Sequence, residues 1–322
     1  MTRDARRMGA DAARHPSSFS PWPHRLAVTL ACATFPLLFI GGLVTSLGVG
    51  LAVPDWPTTF GYNMFLYPWS KMVGGIFYEH SHRLVASCVG LLTIVLALTL
   101  WFKEERAWLR WLGIVALGLV IFQGVLGGLR VVLLKQTLAI VHACFAQAFF
   151  ALTVSLALFT SDEWRHSLHS APIADGGRLR RLALVTTALI YLQIVFGALL
   201  RHTGQWLEGH LLFAALVALH VVLLLLRITR QHGAETKLTR PAFWLGGLLL
   251  GQLILGAASY FAKFSALMAL PAGAVVLITT THLIIGAAML ATSLTITLRA
   301  LRYAQPSGAP HPHPVLTEQY SL

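Results

Sequence analysis

Eight stretches of almost unbroken apolar residues, separated by short polar and basic breaks, organise this chain. Runs such as Leu84–Leu100 and Leu211–Leu226 contain no Asp, Glu, Lys or Arg. They approach the roughly 20 residues an α-helix needs to cross a bilayer. The pattern predicts membrane helices over about 26–47, 80–102, 109–132, 137–160, 179–200, 209–228, 243–262 and 275–300. The break at Ser161–Gly177 is the longest on its side and splits the helices into two groups of four. The expected organisation is an N-terminal segment 1–25, a four-helix half 26–160, a linker 161–178, a second half 179–302 and a tail 303–322. The tail has the Pro- and polar-rich composition of a disordered segment. The expected fold is all-α: a polytopic membrane protein of eight transmembrane helices in two pseudo-symmetric four-helix bundles.

One helix pair recurs four times within this pattern. Each odd-numbered helix ends in Gly-Gly or Gly-Ala: Gly41-Gly42, Gly127-Gly128, Gly197-Ala198 and Gly256-Ala257. Each even-numbered helix then carries a histidine near its start: His82, His142, His210 and His282. Gln123, Gln193 and Gln252 precede the last three glycines by four residues, where the first copy has Leu37. The glycines read as close helix packing that also leaves room for a flat macrocycle, and the glutamines as interhelical hydrogen-bonding groups. A single intramembrane histidine is as readily a structural hydrogen-bonding group as a ligand. Four at matched positions point to metal ligation, because neutral imidazole suits iron and its neighbours in the transition series. Two per half-chain suggest two bis-histidine haem sites. His220 has no counterpart in the other copies and reads as packing, while His80 reads as a solvated boundary residue.

Composition narrows the class. Apolar residues make up 56% of the chain and charged residues 11%, well below the usual quarter for a soluble domain. The net charge of +12 is therefore read as topology and lipid-headgroup contact, with no nucleic-acid partner. With both termini inside, 18 of the Lys and Arg residues fall on the inner side; Lys71, Arg83, Arg130, Lys135, Arg201 and Lys263 make the 6 outside. That bias predicts an N-in, C-in protein with all four repeat histidines near the outer face. Cys32, Cys88 and Cys144 lie within apolar helices without a CxxC pattern. They read as small buried apolar side chains.

Glu79 stands three residues before His82, one turn away on the same helix face, and no other repeat histidine has a carboxylate there. This asymmetry suggests that one haem site is chemical and the other a redox partner. Arg83, four residues after Glu79, offers the competing reading of a simple exposed salt bridge. Arg83, Arg130 and Arg201 are candidate partners for haem propionates.

Gly41-Gly42-Leu43-Val44-Thr45-Ser46, Pro54-Asp55-Trp56-Pro57 and Glu79-x-x-His82-Arg83 resemble the haem A synthase family, as does Gly197-Ala198-Leu199-Leu200-Arg201-His202-Thr203-Gly204 in the second half. That family oxidises the C8 methyl of haem O to a formyl group, giving haem A for terminal oxidases. The resemblance implies that His82 and His142 line the haem O site, with Glu79 beside it as the catalytic group. It also implies that His210 and His282 are axial ligands of a haem b cofactor, which would leave that iron no open position and suit it to electron transfer. The implied setting is a bacterial cytoplasmic (inner) membrane. The implied partners are haem O, membrane lipid, an electron donor and haem O synthase as supplier. Many bacterial members have cysteines flanking the Pro-Asp-Trp-Pro element. Here Val53 and Thr58-Thr59 occupy those places, so a loop disulfide does not carry over. Asp55 and the two prolines otherwise read as turn chemistry, and Trp56 as an interfacial anchor or a lid.

Two other classes account for the histidines. A dihaem b-type cytochrome passing electrons from quinol would use all four but leaves Glu79 without a role. A transporter with internal repeats would use them as a proton relay.

Overall fold

The computed structural model describes residues 20–166, 175–265 and 269–303. The N-terminal segment to Phe19, residues 167–174 and 266–268, and the tail from Ala304 lie outside them, and with them the expectation of a disordered tail. All eight helices form: α1 Trp22–Ser46, α2 Gly74–Lys103, α3 Ala107–Leu133, α4 Gln136–Thr160, α5 Gly176–Thr203, α6 Leu207–Gln231, α7 Thr236–Phe264 and α8 Ala272–Tyr303. Each is long and apolar enough to cross a membrane. Among the described residues there is no strand, only an isolated bridge between Thr59 and Tyr62. The chain is an all-α, multi-pass membrane protein.

The helices outrun the apolar stretches that predicted them, since the backbone ladder continues through polar residues once the hydrocarbon ends. The start of α7 shows what this requires. Pro241 has no N–H to give the carbonyl of Lys237 four residues back. The Arg299 guanidinium donates to that oxygen instead, at 2.7 Å.

Lipid-facing positions are as apolar as the core: Leu91, Leu98 and Phe102 on α2 and Leu250 and Ile254 on α7 are all exposed. This corrects the expectation for two cysteines. Cys32 and Cys88 are exposed and only Cys144 is partly covered. A thiol among apolar residues is equally at home against lipid, so the surrounding sequence does not say which way it points.

The described residues fall into two compact units, one within Met1–Arg165 and Ala269–Ile284, the other within His166–Met268 and Ile285–Leu322. In the first, α1 packs on α2 and α4, and α3 also packs on α2 and α4, closing a ring of four. Leu30, Val89, Leu96, Leu109, Phe149 and Leu156 form its core. At one end Glu104 caps α2 and gathers Arg106 and Arg165, at 2.8 and 3.0 Å. Burial pushes the Glu104 carboxyl up, but the Arg106 hydrogen bonds outweigh it and hold the group below its ordinary value. At the opposite end, where the repeat histidines lie, Ser46 meets the hydroxyls of Thr279 and Thr280 at 3.3 and 2.9 Å. In the second unit α5 packs on α6 and α6 on α7. Thr187 joins α5 to α8 through Ser293 and Thr297, at 2.7 and 2.8 Å.

Candidate functional site

The loop between α1 and α2 carries the Pro-Asp-Trp-Pro element, and the start of α2 ties it down. Arg83 spends its guanidinium on this loop, donating from Nη1 to the carbonyls of Asp55 (2.7 Å) and Thr58 (3.2 Å), and from Nη2 to the carbonyl of Val53 (3.0 Å) and to Glu79 Oε1 (2.8 Å). The other carboxylate oxygen of Glu79 accepts the Val53 N–H at 2.9 Å. The Glu79–Arg83 pair is thus formed, but it is buried rather than exposed, with 5% and 10% of the side chains accessible. The loop covers it, which no helix-face argument could show. The same contacts turn the Glu79 carboxylate toward the loop backbone.

Asp55 organises the next turn. Its carboxylate accepts the Thr58 hydroxyl and the N–H groups of Phe60 (2.7 Å) and Gly61 (2.9 Å). Burial pushes this carboxyl up, yet the hydrogen bonds from Gly61, Thr58 and Phe60 together hold it below its ordinary value. Phe60 and Gly61 both have positive φ, 49° and 78°, the pattern of a type I′ turn, unfavourable for a bulky residue unless its surroundings impose it. Two N–H groups captured by one carboxylate do so here. His80, expected at a solvated boundary, is 1% exposed. Its ring bonds to Thr59 Oγ1 at 3.1 Å and lies 5.2 Å from the Tyr67 ring. It is buried because the loop closes over it. Asp55 does the turn work its sequence context indicated, whereas the burial of His80 and its Thr59 partner were not legible in the sequence.

The repeat glycines seat side chains rather than neighbouring backbones. A Cβ added to Gly41 would come within 3.1 Å of the His82 ring, one on Gly127 within 3.5 Å of the His142 ring, and one on Gly197 within 3.2 Å of the His210 ring. In each case the nearest atom is the imidazole Cε1. The same seat therefore forms in three copies. Two further glycines receive other groups. A Cβ on Gly128 would fall 2.2 Å from the Trp56 indole, and one on Gly50 would fall 2.5 Å from the Arg130 guanidinium. The glutamines bond toward the same histidines, Gln123 Nε2 to the His142 carbonyl at 3.2 Å and Gln193 Nε2 to His210 Nε2 at 3.4 Å.

Glu79, His82, Arg83, Arg130 and His142 therefore all belong to the first unit, and His142, Arg130 and Arg83 lie within electrostatic reach of His82. Nδ1 of His82 is buried without a hydrogen-bond partner among the described residues. His210 belongs to the second unit, while His282 falls in the α8 stretch grouped with the first. His220 donates from Nδ1 to the Leu216 carbonyl one turn back, at 2.8 Å. No three His, Cys, Asp or Glu side chains converge among the described residues as a protein-only metal cage would need. Iron held here by one or two imidazoles would have to arrive with its other ligands, as it does in a porphyrin.

Residues 24–209, more than half of the chain, match the COX15-CtaA family, described as cytochrome oxidase assembly protein. The chain belongs to this family. The match takes in α1 to α5 and ends one residue before His210. Among similar proteins, the Heme A synthase of Shouchella clausii is 31% identical over 186 residues, covering 57% of this chain and 60% of that one. The Heme A synthase of Alkalihalophilus pseudofirmus is 25% identical over 257 residues, covering 70% and 83%. That of Geobacillus kaustophilus is 23% identical over 278 residues, covering 74% and 83%. His82 and His142, with the loop that Glu79 and Arg83 hold, lie inside the family match.

Proposed function

We propose that this protein is a haem A synthase, a membrane oxidoreductase that converts the C8 methyl of haem O to a formyl group. The observation that carries the reading is the shared seat of His82 and His142, each ring on the first glycine of the Gly-Gly pair near the end of the preceding helix, within one compact unit. Glycine at both seats keeps the space beside each imidazole clear. A buried nitrogen such as His82 Nδ1 costs about 1–3 kcal/mol while it has no partner. A bound macrocycle would reorganise that environment.

In this reading His82 and His142 hold the substrate iron, and Glu79 is the catalytic carboxylate beside it, placed to accept a proton. Arg83 positions Glu79 and closes the loop. His210 and His282 are the residues that would hold a haem b, which when bound would supply electron transfer. The seat of His210 on Gly197, with Gln193 beside the ring, fits such a ligand. The dihaem cytochrome reading leaves Glu79 only its part in fastening the loop.

Expression in cells that make haem O but lack haem A synthase, followed by haem extraction, tests the function. Haem A should appear with this chain and be absent without it. Extracts holding only haem b and unconverted haem O would refute the proposal.

The basic-residue bias supports an N-in, C-in orientation in a bacterial cytoplasmic membrane, with the histidine-bearing ends outside. Reporter fusions after Arg110 and Arg178 should then read cytoplasmic, and one at Thr59 should read external. The opposite pattern would reverse the placement of every candidate site.

A further inference from the structure

Arg83 and Arg130 sit near the same histidine, but their guanidinium groups are employed differently. Arg83 has four acceptors, three of them loop carbonyls. All four Nη hydrogens are thereby spent on the protein. Arg130 makes no hydrogen bond and no ion pair with any described residue, although it is only partly exposed. Its guanidinium is turned back against the bare Cα of Gly50, in the loop that follows α1. Any larger residue at position 50 would displace it, since a Cβ there would stand 2.5, 2.8 and 2.9 Å from Nη2, Nη1 and Cζ. Arg130 is three residues beyond Gly127, so it shares the helix face on which the His142 ring is seated. His82 and Glu79 lie within its electrostatic reach.

A cation at the last turn of a helix has an ordinary explanation, complementing the helix dipole or meeting a lipid headgroup. Both favour a side chain extended toward water. The seat on Gly50 instead holds this one against the loop after α1, within electrostatic reach of His82 and Glu79, and the planar fork is left with open donors. A fork with open donors near the two seated histidines suits a carboxylate, which accepts two parallel N–H bonds.

We propose that Arg130, seated on Gly50 and one turn beyond the glycine that carries His142, binds a propionate carboxylate of the haem substrate and sets its orientation between the histidines. The inference rests on the haem-oxidising reading and names the part of the substrate this residue recognises. It separates Arg130, which meets the ligand, from Arg83, which holds the protein.

The test uses the full-length protein in lipid nanodiscs, prepared from cells unable to make haem O and titrated with haem O or with its propionate dimethyl ester. Absorption difference spectra read the binding. The parent protein should bind the diacid at least about 10-fold more tightly than the diester, as a charge-assisted bidentate pair implies. Arg130→Gln should narrow that gap by about 10-fold, chiefly by weakening the diacid. Arg130→Lys, which keeps the charge but loses the fork, should keep part of the preference. Gly50→Ala leaves the guanidinium in the chain but unseats it, and should behave like Arg130→Gln; it also supplies the answer if the Gln variant fails to fold. A diacid preference unchanged in these variants would overturn the proposal and return Arg130 to a dipole or headgroup role. Failure of the parent protein to bind haem O at all would overturn the functional reading itself.

Discussion

Replacing Glu79 by Gln is expected to lower haem A formation by about 100-fold or more, the scale of a lost acid–base group, while the chain still accumulates and holds haem b. The geometry explains why the fold survives. The Gln carbonyl can still accept one of the two bonds now made by the carboxylate, from Val53 N–H or from Arg83. Its amide would face the other donor, which is a real loss. Arg83 nevertheless keeps the carbonyls of Val53, Asp55 and Thr58. The cost should therefore fall below the ~3–5 kcal/mol of an orphaned buried charge. Arg83→Gln provides the contrast. It removes four hydrogen bonds that fasten the loop, so it should impair haem O retention as well as conversion. Haem A at near-parental levels in Glu79→Gln, measured against haem b in the same extract, would remove Glu79 from the chemistry and leave it a loop fastener.

The second large effect concerns the cofactor. If His210 and His282 hold a haem b as proposed, His210→Ala and His282→Ala should each abolish its low-spin spectrum. His220→Ala should leave that spectrum intact. His210 rests on Gly197 with Gln193 beside it, in the seat His82 and His142 occupy in the first unit. His220 is engaged by the carbonyl of Leu216 within its own helix. A spectrum that survives loss of His210 but not of His220 would overturn the assignment and mean that the repeat is misaligned in the third copy.

The seating of the histidines was largely legible in the sequence. A glycine near the end of one helix and a histidine near the start of the next face each other across a short connection, so their spacing predicts the meeting. Gly41, Gly127 and Gly197 each meet the histidine paired with them. The fate of Glu79 was less legible. Helical geometry correctly gave the Arg83 pair, but it could not show that Val53 and Asp55 would fold over it. That decides whether the pair is a weak surface contact or the anchor of a loop.

By itself, the sequence determined the eight spans, the all-α class and the recurrence of glycine and histidine. These depend on apolar length and helical period, which are local properties that a bilayer enforces strictly because every backbone polar group must be satisfied within its own helix. Tertiary structure alone decided the burial of His80, the outward facing of Cys32 and Cys88, and the division of labour between Arg83 and Arg130. In a membrane, the lipid face and the core are equally apolar, so composition does not reveal which way a side chain points. The course of the loop after α1 is set by hydrogen bonds to residues of α2 far along the chain. Only the folded chain could bring Gly50 to Arg130 and leave one guanidinium committed to the loop while the other stays open.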